Sequence, residues 1–236
     1  VGVDGNGNVY LAGVGSVVGF PTTIGTYAGN LDDFFVLKLD SNGQRQYAML
    51  YGGAAFDYAN DIVVRPDGTH YIVGESGSTN LPVTSVLYAG TGSTKAFVAK
   101  FDAMGNRLFA FRYGGTNVER AYTAAWDEAN NMLMVGGYTD SPDFPTNKIT
   151  HPGTGQDVFL LRLHPNGQRR WATRFGGSGN EYARGLTVDA TGGIFFTGET
   201  TSNDYPNTIS TYASLGSDIL LTKLDSAGNM NWSNRY

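Results

Sequence analysis

Glycine pairs recur at Gly52-Gly53, Gly114-Gly115 and Gly176-Gly177, a constant 62 residues apart (52 to 114 to 176). A fixed period of this length restricts a chain to an array of one repeated supersecondary unit. Two further landmarks share the period. A base, an apolar residue and an acid stand together at Lys38-Leu39-Asp40, Lys100-Phe101-Asp102 and Lys223-Leu224-Asp225, and Arg162-Leu163-His164 is the fourth copy, with His in place of the acid. An aromatic residue or Leu precedes Pro at Phe20-Pro21, Leu81-Pro82, Phe144-Pro145 and Tyr205-Pro206. The chain therefore divides into units at 1–51, 52–113, 114–175 and 176–236. The first unit is incomplete, because it lacks the Gly-Gly segment and most of its first strand.

Residues 52–113 illustrate the unit. Four strands are predicted: A over Tyr58–Val64, B over His70–Gly74, C over Ala96–Phe101 and D over Arg107–Tyr113. Pro66-Asp67-Gly68 joins A to B, and Asp102-Ala103-Met104-Gly105-Asn106 joins C to D. Gly supplies positive φ in such turns, while Asp and Asn bond nearby amides. Strand C copies such as Phe34-Phe35-Val36-Leu37 are apolar on both faces, as a sheet packed between two others requires. The composition agrees: 33 Gly, 14 Tyr and 13 Phe among 236 residues, with 16% charged, suits many short strands. The expected fold is all-β: a β-propeller of four consecutive four-stranded antiparallel blades, each about 62 residues long.

The pattern resembles the SBBP β-propeller repeat family. Its motifs here are Gly-Gly-Ser-Gly-Asn-Glu-Tyr-Ala at 176–183, Leu186-Thr187-Val188-Asp189, Phe196-Thr197-Gly198, Tyr205-Pro206 and Asp218–Asp225. The second unit departs at Lys95, where the others carry Asp33, Asp157 and Asp218. The resemblance implies a prokaryotic secreted or cell-surface protein.

Several function classes are disfavoured. A net charge of −5 does not suit the phosphate backbone of nucleic acid. No apolar run reaches membrane-spanning length, so no membrane insertion is expected, and the charged n-region of a signal peptide is missing. With no cysteine there is no disulfide, thiolate metal site or cysteine nucleophile. His70, His151 and His164 fall at three different repeat positions, which disfavours a His metal site or a Ser-His-Asp triad. Asp4-Gly5-Asn6-Gly7-Asn8 has alternating oxygen ligands but no downstream Glu, and it aligns with the A–B turns. No cofactor and no metal are expected.

The B–C loops, such as Glu75–Thr94, and the Gly-Gly connectors would share one face, and long loops on a rigid scaffold are the usual carriers of binding. Candidate residues on that face are Asp57-Tyr58, Glu119-Arg120 and Glu181-Tyr182 after the connectors, with Tyr27, Tyr88, His151 and Tyr212 late in the B–C loops. The acids read either as a carboxylate ring facing a ligand or as braces between blades. Recurrence in every complete copy favours bracing, since ligand sites break the symmetry of a repeat. The loop aromatics read as a sugar-binding rim or as pins for their own loops, and pinning is favoured. The strand-C bases Lys38, Lys100, Arg162 and Lys223 are expected half-buried and paired.

The function expected is that of a non-catalytic scaffold or binding module of an extracellular protein, serving adhesion, display or assembly. Its partner would be a protein or glycan on the loop face, and further blades or self-association would cover the open sheet edges. The alternative is a polysaccharide hydrolase or lyase with paired carboxylates drawn from Asp57, Glu119 and Glu181.

Overall fold

The computed structural model describes residues 1–16, 19–27, 31–84, 90–92, 94–148, 153–206, 208 and 216–236. The chain forms two compact units, Val1–Gly114 and Gly115–Tyr236, and each contains two antiparallel sheets in sequential up-and-down order.

In the first unit one sheet is built from β1 (Gly2–Val3), β2 (Val9–Gly15), β4 (Asp33–Leu39) and β5 (Arg45–Tyr51). The two-residue β3 (Thr26–Tyr27) pairs parallel alongside β5 as a fifth member. The second sheet holds β6 (Asp57–Val64), β7 (His70–Ser76), β8 (Lys95–Phe101) and β9 (Arg107–Tyr113). In the second unit the sheets are β10 (Glu119–Asp127), β11 (Met132–Thr139), β12 (Asp157–Leu163) and β13 (Arg169–Phe175), then β14 (Glu181–Val188), β15 (Ile194–Thr200), β16 (Asp218–Leu224) and β17 (Met230–Arg235). The all-β expectation and the four-strand unit stand. Strand B runs two residues beyond the predicted end, so Glu75 and Ser76 belong to β7 and not to the loop.

The turns follow from their Asp and Gly residues. Asp102 Oδ1 accepts the amides of Met104 and Asn106, both at 2.9 Å, and Gly105 takes φ +84. Asp4 likewise accepts the amides of Asn6 at 2.9 Å and Asn8 at 3.0 Å, which makes 4–8 a turn with its carboxylate occupied. Where His164 replaces the acid, the turn keeps its backbone bonds and Asn166 Oδ1 accepts Gln168 N instead, at 3.1 Å.

Aromatic residues form the core of the first unit: Phe34 stacks on Phe97 with centroids 5.0 Å apart, joining the two sheets. Its buried His70 donates from Nδ1 to Gly68 O at 3.0 Å, and its Nε2 lies 3.2 Å from Tyr47 Oη. In the second unit Met134, Leu160, Phe175 and Phe196 are buried together.

Strand C bases tie neighbouring sheets of a unit together. Lys38 Nζ donates to Ala103 O at 2.8 Å, and Arg162 donates to Ser226 O and pairs with the buried Asp127. The expectation of half-buried bases paired with acids is met by Lys223, 3.8 Å from Asp189, whereas Arg162 is almost wholly buried and Lys38 bonds a carbonyl. At the other end of strand C, buried Asp157 meets Arg174 Nε at 2.6 Å, and Asp218 meets Arg235 Nε at 3.3 Å. Lys95 stands buried at the equivalent position of the second sheet.

Candidate functional site

The recurrent acids come first. Asp57, Glu119 and Glu181 are each completely buried. Asp57 Oδ2 accepts the Gly53 amide and the Ser78 hydroxyl, both at 2.7 Å. Glu119 Oε1 accepts Thr139 Oγ1 at 3.0 Å and Ser141 Oγ. Glu181 accepts Thr200 Oγ1 at 2.7 Å, Ser202 Oγ, and the Gly177 amide at 2.8 Å. The same serines accept amides of the connector: Ala55 at 2.9 Å, Asn117 at 2.8 Å and Gly179 at 2.7 Å. Asn80, Asp143 and Asp204 accept the preceding amide in each copy. The Gly-Gly connector thus lies in a cradle so close that a Cβ on Gly53, Gly115 or Gly177 would sit 2.5 Å from a serine Cβ. Each of the three carboxylates is thus held inside its own cradle and away from solvent. The sequence signal for the cradle was available: Ser76-Gly77-Ser78-Thr79-Asn80, Thr139–Asp143 and Thr200–Asp204 repeat a hydroxyl-x-Ser-x-Asn/Asp pattern.

The remaining sequence candidates separate. Tyr88, His151 and Tyr212 lie outside the described residues. Tyr27 lies in β3, in parallel register with Tyr51. Tyr58, Arg120 and Tyr182 share one half-buried register position, opposite Glu75, Tyr138 and Glu199 on the neighbouring strand. Tyr58 stacks on Phe56 at 5.7 Å.

Two residues beyond each of these, strand A carries one extra residue relative to its partner: Asn60, Tyr122 and Arg184 occupy these bulges. A bulge re-aims the side chain it carries, and bulges are enriched beside functional sites. In the second unit the bulges bring an exposed cluster together. The Arg184 guanidinium lies over Tyr122 at 4.4 Å and over Tyr182 at 5.0 Å. Its Nε donates to Glu199 Oε1 at 3.1 Å, with the two side chains 45% and 50% exposed. Tyr138 meets Tyr182 edge-on at 5.2 Å, and Tyr182 Oη donates to Gln156 Oε1. Burial raises the Tyr182 pKa. Burial works against the Arg184 charge, but Glu199 and Tyr122 together outweigh it and raise the pKa. Only Tyr182 of this cluster was a sequence candidate. Tyr122, Tyr138, Arg184 and Glu199 were missed because bulge register is not visible in composition.

An aromatic face flanked by a fixed cation and a reachable carboxylate can stack a sugar ring, bond its hydroxyls and exchange a proton with it. The all-β architecture built from this repeat fits a propeller class of protein. Residues 170–206 match the SBBP family model, described as a beta-propeller repeat, and that stretch contains Glu181, Arg184 and Glu199. No curated protein matches the chain. One solved structure that matches is a gluconolactonase from Xanthomonas campestris, 14% identical, with a TM-score of 0.42. The match covers 85% of this chain and 54% of that one, so the chain spans about half of that protein's length. The expectation of a non-catalytic scaffold is corrected at this point. The matching solved structure is that of an enzyme, and nothing among the comparisons supports the non-catalytic expectation.

Proposed function

We propose that the four sheets are consecutive blades of a β-propeller that acts on carbohydrate, and that a saccharide is engaged at Tyr122, Tyr182, Arg184 and Glu199. The carrying observation is the Arg184 guanidinium, which is held at a bulge between two tyrosine rings and bonded to the half-exposed Glu199. The bulge position differs between the repeats, as Asn60, Tyr122 and Arg184, which suits a ligand site on a repeat scaffold; Glu199 has a counterpart in Glu75, and the arginine and second tyrosine beside it do not recur there. Glu199 is the proton-transfer group of this reading, and Arg184 holds it oriented until a ligand competes for the pair.

The test is incubation of the purified chain with a panel of neutral and acidic polysaccharides, reading new reducing ends or unsaturated products. The expected result is turnover of one substrate class that disappears in Glu199→Gln. Turnover retained in that variant, or saccharide binding without any turnover, contradicts the reading.

A further inference from the structure

The second unit contains a separate cleft of about 370 Å³ at the turn end of its sheets, within the roughly 300–1,000 Å³ range of ligand sites. It is lined by Asn130, Asn147, Lys148, Arg162, Arg170 and Ser226, among others. Three of these six carry positive charge, and they differ in how far their charge is already neutralised. Arg162 is fixed by Asp127 and by Ser226 O. Arg170 is exposed and Lys148 half-buried, and neither forms an ion pair among the described residues. Two carboxylates bear on the cleft. Asp127 is taken by Arg162 and Asn130. Asp225 feels Lys148 at a distance but spends its oxygens on Ala227 N, Asn229 N and Asn229 Nδ2. Lys148, Arg162 and Arg170 against Asp127 and Asp225 leave the cleft net positive, with the cations unpaired among the described residues at Lys148 and Arg170.

Arg170 owes its place to a second bulge. Arg162 pairs with Trp171 and Leu163 with Arg169, which leaves Arg170 as the extra residue of β13. Lys148 is held by its neighbour: Asn147 N donates to Ala172 O at 3.1 Å, and Asn147 Oδ1 accepts Ala172 N at 2.8 Å.

The first unit provides an internal control. There Thr23 makes the same two bonds to Ala48, both at 2.8 Å, so Ile24 stands where Lys148 does. Gln46 is the bulged residue between the Lys38–Tyr47 and Leu39–Arg45 pairs, so it stands where Arg170 does. Its cleft is smaller, about 210 Å³, and lined largely by apolar groups including Ile24, Met49, Leu50 and Phe101. The fold keeps the bonds that hold both positions in place and changes only the side chains that face outward. Structural need alone does not call for a lysine and an arginine here.

The geometry points to a binding site in this cleft for the carboxylate of a small acidic sugar, with Lys148 and Arg170 holding the oxyanion and Asn130, Asn147 and Ser226 lining the polar body. The site uses no residue of the Tyr122–Glu199 cluster and is independent of the carbohydrate-acting reading above.

The experiment is calorimetric titration of the chain with D-glucuronate, D-glucose and inorganic sulfate. The variants are Lys148→Ile and Arg170→Gln, which install the residues of the first unit and so are compatible with the fold; circular dichroism and thermal unfolding check this. Saturable glucuronate binding that falls at least tenfold in each variant, weakens between about 50 and 500 mM salt and exceeds that of glucose is expected. No saturable glucuronate binding, or binding unchanged in both folded variants, overturns the site. Sulfate binding as tightly as glucuronate overturns the acidic sugar as its ligand, since the cleft would then read charge alone.

Discussion

The hydroxyl of Ser202 donates to the buried carboxylate of Glu181 and accepts the amide of Gly179 at 2.7 Å. One side chain thus links the start of β14 to both the connector before it and the loop after β15. Ser78 with Asp57 and Ser141 with Glu119 repeat the arrangement.

Replacing Glu181 with Gln puts an amide NH₂ where donors converge, and a buried donor left unpaired costs about 1–3 kcal/mol. Urea unfolding of Glu181→Gln should show a loss of about 2 kcal/mol or more. A midpoint shift within error would remove the bracing role.

Gly177→Ala tests the closeness of the cradle. Its Cβ would meet Ser202 Cβ at 2.5 Å, and overpacking of this kind costs about 1–3 kcal/mol. Combining it with Ser202→Gly, which removes that Cβ, should recover part of the steric loss, which thermal unfolding of the single and double variants would reveal.

The two kinds of ion pair should behave differently. Arg162 and Asp127 are almost wholly buried, and removing one partner of such a pair costs about 3–5 kcal/mol. Lys223 and Asp189 are 3.8 Å apart and about a third exposed, so Lys223→Met should cost under about 1 kcal/mol. Chemical denaturation of Arg162→Met and Lys223→Met side by side checks the ranking.

Burial pushes His70 down to about 4, against the pull of its Gly68 carbonyl partner. The unfolded chain therefore takes up this proton first as pH falls. The stability contributed by neutral His70 is complete above pH ~6.5 and is lost between ~6.5 and ~4, with about 2 kcal/mol already gone at pH 5. Asp157, pushed up to about 6 by burial although Arg174 pulls it down, acts in the opposite sense over an overlapping range. The comparison must therefore be wild type against His70→Phe, by unfolding at pH 7.5 and pH 5. The variant should lack about 2 kcal/mol of the pH-dependent loss. Equal losses in both would place the titration elsewhere.

The repeat made much of this legible in advance. Turn chemistry at Asp40, Asp102 and Asp225 and the apolar strand C copies located the strands to within two residues, because Asp-Gly turns and apolar runs are local signals. The bracing role of Asp57, Glu119 and Glu181 also followed, because recurrence is itself information. The exposed cluster did not. Arg184 meets Tyr122 from a strand one repeat away, and both point where they do because of a bulge, which adds a residue without altering the pattern. Arg170 escaped for the same reason, and Lys148 because the bonds of Asn147 that fix its place are not visible in the repeat pattern. They become visible only once Ile24 and Gln46 are aligned with them through the Thr23 and Asn147 bonds. The loop aromatics Tyr88, His151 and Tyr212 drew attention by residue type, and they fall outside the described residues.

The division between buried acids that brace and exposed residues that act is tested most directly by Glu181→Gln and Glu199→Gln measured together, for unfolding free energy and for polysaccharide turnover. Glu181→Gln should lose about 2 kcal/mol or more and keep its turnover per folded molecule. Glu199→Gln, removing an exposed pair worth at most about 1 kcal/mol, should keep its stability and lose turnover. The reverse pattern, with Glu181 needed for turnover and Glu199 for stability, would contradict the account.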